Sequence, residues 1–490
     1  METTIPERGL DPFDALQASL VERLEKGGLS ELETGTIVVI PSISFPGVEL
    51  RKITAIQHYE ERMLVALLML KRPDLRIVYA TSLPVEPAII DYYLSFVDPR
   101  LRPRQRLSFV TANDPESRAL SAKLLERPDL VAALGSVVMN PARAYILPFN
   151  VTELERELAV ALGIPLWGPH PADAWLGSKS GARHIARRAG VSVFEGAEDL
   201  RSLGEIQEAI ELIRSARPAA EAVVIKLDNG FSGQGNAIID LRDLRTSLET
   251  SRTTFCGVGE SWPSFKDKIA AEGAIVEELA RAPGLSSPSV QMRIAPGGAF
   301  EVVSTHDQIL GGPDDQVYLG CRFPAHSDYR TEIQDAALAV TRVLASGGVF
   351  GSFGMDFVVV PQRGVFLSEI NLRAGGTTHP NLMARLATEG TYDTGSGELL
   401  CQGRPKVYLA TDNLKSDAYR ALSPARAVTA LQSAGLAYDH GTLKGTTLHL
   451  LGALRGYGKL GLVCIADSHH EAAAQHEGVV RALDAAALSS

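Results

Sequence analysis

The chain reads as an α/β protein that turns into an α+β protein and closes with a small α/β domain. Three observations predict this. Up to about residue 165, short apolar runs alternate with helical stretches, the pattern of a parallel sheet covered by helices. Pro165, Gly168, Pro169 and Pro171 then interrupt it. Beyond them, strand-like runs come in consecutive pairs joined by glycine-containing turns, until alternation resumes near residue 400. The expected boundaries are 1–165, 166–400 and 401–490, within the two to four domains that roughly 490 residues allow.

Taken in order, Asp11 to Lys26 is an acidic helix-like stretch, Thr36 to Ile40 an apolar run stopped by Pro41, and Ile53 to Leu70 a helix. Arg76 to Ala80, Leu107 to Thr111 and Ala144 to Leu147 repeat the strand signal, which makes the first domain Rossmann-like. It lacks GxGxxG, so no dinucleotide is assigned to it. Ser178 caps a helix that Gly190 stops, and Lys179 takes its first position, where a cation opposes the helix dipole unless an anion binds beside it.

Ala222 to Leu227 is an apolar strand interrupted by Lys226. Gly230, Gly233 and Gly235 follow in a loop, with Ser232 between them, whose N–H groups can approach phosphate oxygens without Cβ obstruction. The loop is not a P-loop, since the lysine precedes the glycines and a strand, Ala237 to Asp240, comes next. Ala274 to Leu279 carries Glu277 and Glu278, Ser289 to Ile294 and Phe300 to Thr305 form a hairpin, and Thr331 to Ala345 is helical. After residue 400, Ala425 to Ala434 and Thr446 to Leu454 read as helices, Leu460 to Ala466 as a strand and Glu471 to Ala487 as a closing helix.

The most informative stretch joins Met355–Val360 to Val365–Asn371 through a four-residue turn, Pro361 to Gly364. Pairing Val360 with Val365 sets Asp356 opposite Glu369. Alternation then puts Glu369, Asn371 and Arg373 on one face and Phe366, Ser368 and Ile370 on the other, with Met355, Phe357 and Val359 in the core. Directly opposed acids repel unless a cation sits between them. Two carboxylates and an amide oxygen suit Mg2+, which takes further ligands from water and substrate phosphates, so the residues point to ATP chemistry.

In this order, Lys179, Lys226 with its glycine loop, the Glu277-Glu278 strand, Asp356 and the Glu369-x-Asn371-x-Arg373 series resemble the ATP-grasp superfamily over about 168–400. The Pro41-Ser42-Ile43-Ser44-Phe45 loop, Ser368 to Gly376 and the small C-terminal domain resemble the pheganomycin-type peptide ligases. The resemblance implies a Rossmann-like pre-ATP-grasp domain, a two-lobed ATP-grasp fold with a mobile lid lobe at about 180–275, and a small C-terminal α/β domain. It implies that Lys179 and Lys226 neutralise ATP phosphates, that Gly230, Ser232, Gly233 and Gly235 cover them, and that Glu277 and Glu278 border the adenosine. Asp356, Glu369 and Asn371 would hold Mg2+, with an Asp at 356 where many relatives carry Glu. Arg373 would face the transferred phosphoryl group and the carboxylate, and Arg322, with Arg293 beside it, would also orient acid oxygens.

The activity expected is ATP-dependent ligation of a small carboxylic acid to an amino acid or peptide amine through an acyl phosphate. Two alternatives are an ATP-grasp enzyme with a non-amine acceptor, weakened by the absence of a biotin-carrier motif, and a catalytically silent ATP-binding regulator. His379 is either a site residue or a cap for local backbone, and His469 and His470 lack the spacing of helical metal ligands. A formal charge of -10 argues against a general nucleic-acid binder. Cys256, Cys321, Cys401 and Cys464 lie too far apart for a CxxC site, and neither a secretory signal nor a membrane-length apolar run of about 18 residues is visible. A soluble cytoplasmic protein without membrane partners is expected, with homo-oligomerisation left open.

Overall fold

The structure, a computed structural model, describes residues 11–489 apart from 231–234, 246, 258 and 312–316. Four parallel strands, β1 (Gly35–Ile40), β2 (Leu75–Thr81), β3 (Leu107–Thr111) and β4 (Ala144–Pro148), form the first sheet in the order β3-β2-β1-β4. Ile37 to Ile40 are fully buried, as a parallel sheet covered on both faces requires. The expected helix near residue 53 is a 3₁₀ segment, Ile56–Lys71, and the N-terminal helix runs Pro12–Gly27 from an Asp11 cap.

The second sheet is antiparallel, β5 (Gly196–Leu200), β6 (Ala222–Leu227), β7 (Asn236–Asp240), β8 (Thr253–Phe255) and β9 (Ala274–Glu278), in the order β5-β9-β6-β7-β8. Alternation along β6 divides its residues: Val223 and Ile225 pack with Ile210, Phe265 and Ile269 of the covering helices, while Val224 and Lys226 line a cleft. The lysine that breaks the apolar run therefore sits on the open face.

The third sheet holds ten strands among the described residues: β10 (Pro288–Ile294), β11 (Phe300–Gly311), β12 (Val317–Phe323), β13 (Gly351–Val360), β14 (Gly364–Asn371), β15 (Thr391–Asp393), β16 (Glu398–Cys401), β17 (Arg404–Lys415), β18 (Gly445–His449) and β19 (Lys459–Ala466). The helix Ser327–Ser346 covers it through Ile333, Ala337, Val340 and Leu344, which pack on Met292, Phe353 and Met355. The sheet does not stop near residue 400. β17 pairs with β12 on one edge and with β16 and β19 besides, so the C-terminal segment is woven into the same sheet. One expected helix is a strand: Thr446-Thr447-Leu448 lies in β18, paired with β19, and only Ala453–Tyr457 is helical. Two adjacent β-branched threonines, Thr446 and Thr447, suit the extended strand paired with buried Cys464 and Val463 better than a helix.

Candidate active site

Asp356 and Glu369 face each other across β13 and β14, but the route to that register differs from the sequence reading. Val360 pairs with Gly364, so the turn is one residue tighter than expected, and a bulge between Asp356 and Phe357 restores the register before the acids. The bulge falls at Ser368 and shifts the faces of β14. Leu367 is buried in the core, whereas Phe366 stacks on Phe194 with ring centroids 4.5 Å apart. Phe366 is thus not the core residue that simple alternation made it.

The acids are heavily engaged. Glu369 Oε1 accepts from Lys179 Nζ at 2.6 Å, and Asp356 accepts from Gln308 at 2.6 Å and from Asn371 Nδ2 at 3.0 Å. Burial, then the charge of Glu369, push the Asp356 carboxyl up to about 7. Burial also works to raise Glu369, but the Lys179 ammonium, followed by Arg373, holds it below the ordinary carboxylate value. One acid is thus kept charged at the expense of the other.

Lys179 sits where expected, at the first turn of the Lys179–Ala189 helix behind the Ser178 cap. Its Nζ also donates to the Gly230 carbonyl at 3.1 Å, and Ser180 N–H donates to Asp228 at 2.8 Å, tying the helix start to the end of β6. At the neck of the glycine loop a Cβ on Gly230 would come within 3.0 Å of the Gly235 Cα, so the two backbones approach too closely for side chains. Ser232 and Gly233 lie outside the described residues. Lys226 Nζ donates to Glu277 Oε1 at 2.6 Å and reaches Ser368 Oγ at 3.3 Å.

Glu277 and Glu278 are buried rather than solvated. Glu277 also accepts from Arg183 at 3.0 Å, and Glu278 takes a two-pronged contact from Arg363 at 2.7 and 2.8 Å. A cleft of about 840 Å³ brings together Lys179, Lys226, Gly230, Glu277, Glu278, Asp356, Glu369, Asn371 and Arg373. The Arg373 guanidinium lies 5.4 Å from the Phe45 ring centroid, so the first domain contributes a wall.

Arg322 is a correction. It is exposed on β12 and does not line the cleft: the pairs Leu310–Tyr318 and Ile309–Gly320 leave Leu319 as a bulge, which breaks the alternation that would otherwise put Arg322 on the inward face of Tyr318. Arg293 is likewise outside, bound to Glu301. Cleft residues the sequence reading passed over are Tyr59, Arg62, Asn413 and Lys459, from the first and last segments. Lys459 opens the apolar strand β19, a signal related to that of Lys226, which interrupts the apolar run of β6. His379 is no backbone cap. Its Nε2 lies 3.1 Å from Asp412 Oδ1, and His449 Nε2 lies 2.6 Å from the same oxygen. Asp412 in turn ion-pairs with Arg62. Burial pushes His379 down to about 4, against the opposing pull of the Asp412 carboxylate.

Residues 255–365 match the IQCH-like ATP-grasp family and residues 426–479 the PGM1 C-terminal domain family. Over 445 residues the chain is 36% identical to the L-propargylglycine–L-glutamate ligase of Streptantibioticus cattleyicolor, covering 88% of this chain and 91% of that protein. The chain belongs to the ATP-grasp superfamily. It is a ligase that forms carbon–nitrogen bonds. IQ motif-containing protein H of Danio rerio is 24% identical over 52% of this ATP-grasp ligase, which spans 28% of that protein. Among solved structures, a biotin carboxylase–βγ-ATP complex from Campylobacter jejuni aligns over 93% of this chain and 94% of its own at a TM-score of 0.58 and 14% identity. The biotin carboxylase domain of Hydrogenobacter thermophilus 2-oxoglutarate carboxylase, in complex with MgADP and bicarbonate, aligns over 91% and 89% at 0.54 and 13%. These two share the fold. No helix of the described residues is long and apolar enough to cross a membrane.

Proposed function

We propose that this ATP-grasp ligase joins the carboxylate of an amino-acid-like acid to the amine of an amino acid or peptide, through an acyl phosphate and with release of ADP and phosphate. The observation that carries the reading is the half-buried Asp356–Glu369 pair, facing the cleft with Lys179, Lys226 and Arg373 around it. Attack by one anion on another is opposed by repulsion, so cationic groups must offset the charge that gathers in the transition state.

The donor set fits Mg2+. Asp356, Glu369 and the Asn371 amide would hold it, and Lys179 now supplies to Glu369 a countercharge of the kind such an ion would bring. When bound, Mg2+ supplies neutralisation of phosphate charge. Lys179 and Lys226 grip phosphate oxygens, Gly230 and Gly235 shape the loop neck over them, and the β9 end with Glu277 and Glu278 borders the adenosine. Arg373 holds the acid beside the γ-phosphate, where its carboxylate oxygen attacks phosphorus and ADP leaves. The amine then attacks the acyl carbon and phosphate departs. The β5–β9 lobe closes over this intermediate and excludes water.

The test offers purified protein ATP, Mg2+, a panel of amino acids and hydroxylamine as a small surrogate amine. Hydroxamate together with ADP is the expected outcome. ATP binding without hydroxamate or ADP across the panel would favour the silent regulator instead.

A further inference from the structure

Among the described residues five lysines are buried: Lys123, Lys179, Lys226, Lys406 and Lys459. Four have a carboxylate partner, Asp114 at 3.9 Å, Glu369 at 2.6 Å, Glu277 at 2.6 Å and Asp467 at 2.6 Å respectively. Lys459 is the exception. It is 6% exposed, its Nζ donates to Tyr59 Oη at 2.6 Å and Asn413 Oδ1 at 3.0 Å, and it lies 4.9 Å from the Tyr59 ring centroid. These partners are all neutral. A buried cation without an anion is costly, and natural proteins keep one where a ligand supplies the charge.

The surroundings say where that ligand enters. Lys459, Tyr59, Asn413 and Arg62 all line the catalytic cleft. Arg62 lies 4.1 Å from the same Tyr59 ring and is fixed by Asp412, itself held by His379 and His449. Two cations therefore share one aromatic ring, and only one of them has a carboxylate. Neither belongs to the segments that carry Lys179, Lys226 and the acid pair. This wall comes from the 3₁₀ segment Ile56–Lys71 and from β17 and β19.

We infer that Lys459, with Tyr59, Asn413 and Arg62, forms an anion subsite for the free carboxylate of the acceptor amino acid or peptide. The inference rests on the ligase reading above. The reacting carboxylate of the donor acid is already committed to Arg373 and the γ-phosphate, so a second anionic group falls to the nucleophile. Holding that nucleophile by its carboxylate leaves its amine unencumbered for attack, and fixes the attack geometry. The C-terminal segment thereby acquires a role: it completes the acceptor site.

The test measures ligation by the wild-type enzyme with ATP, Mg2+ and an amino-acid panel as donors. The acceptor probes are L-alanine and L-glutamate, each beside its α-amide. Free acids should be preferred over amides by about thirtyfold or more in kcat/KM, the effect of leaving a buried charge unpaired. Lys459→Met should bring that ratio to within about threefold by raising the KM of the acids and not that of ATP, and Lys459→Arg should retain the preference. A wild-type enzyme that ligates amides as well as acids overturns the subsite, whether or not any variant folds. So does a folded, active Lys459→Met enzyme with its preference intact, or a preference for anionic groups that appears in the donor instead. Hydroxylamine separates the two readings. Wild-type hydroxamate without acid preference removes the subsite and leaves the ligase chemistry standing, whereas no hydroxamate with any donor removes both.

Discussion

Glu369→Gln removes one charge from the opposed pair and keeps the shape of the side chain. Two effects on folding are set against each other. The Lys179–Glu369 contact at 2.6 Å is lost, and so is the repulsion between Glu369 and Asp356. Unit charges about 4 Å apart at an effective dielectric of about 20 interact by about 4 kcal/mol, so terms of similar size and opposite sign leave a net loss of about 1–2 kcal/mol. That is a shift of a few degrees in Tm for a chain of this size. Turnover has no such compensation, because the substituted amide cannot supply the charge a metal and triphosphate need. A fall of at least about 100-fold in kcat/KM, about 2.7 kcal/mol in barrier, is expected. Coupled ADP release across a Mg2+ titration, with thermal melts on the same samples, gives both numbers. Activity within about threefold of the parent, about 0.65 kcal/mol, would refute the metal assignment.

Glu60 provides a pH prediction remote from the cleft. It is buried, bonded to Ser82 N and Oγ at 2.6 Å each, and burial pushes its carboxyl up to about 7. A folded-state value above the unfolded one means the folded chain binds the extra proton, so this stabilising contribution is full below about pH 4.5 and lost as pH rises through about 7. Melts between pH 5 and 8 should show the loss, up to roughly 3 kcal/mol, and Glu60→Gln should flatten it; an unchanged profile in the variant would contradict the assignment. Arg322→Ala should leave kcat/KM within about twofold, since an exposed side chain outside the cleft belongs to the class of near-neutral substitutions. A loss beyond about tenfold in the same ADP assay would return Arg322 to the site.

The local signals carried far. Lys179 behind the Ser178 cap, Lys226 interrupting β6 and the opposed acids were each legible from helix stops, alternation and turn chemistry. The acid register was reached through two offsets that cancel, a tighter turn and a bulge at Ser368, neither of which alternation alone can reveal. What remained hidden depends on distant partners. The burial of Glu277 and Glu278 rests on Arg183 and Arg363, 94 and 85 residues away in the chain. The pairing of β12 with β17 brings the C-terminal segment into the large sheet, and with it Asn413 and Lys459 into the cleft. Arg322 shows the converse, an arginine beside the site in sequence whose strand turns it away.

In the proposed reaction the acid's own oxygen is transferred to phosphorus. The direct measurement supplies a supporting donor acid labelled with ¹⁸O in its carboxylate, together with ATP, Mg2+ and an amine acceptor, and examines the released phosphate by mass spectrometry. An acyl phosphate predicts one ¹⁸O in each phosphate and ADP as the nucleotide product. Unlabelled phosphate, or the label appearing in AMP alongside pyrophosphate, would contradict the account.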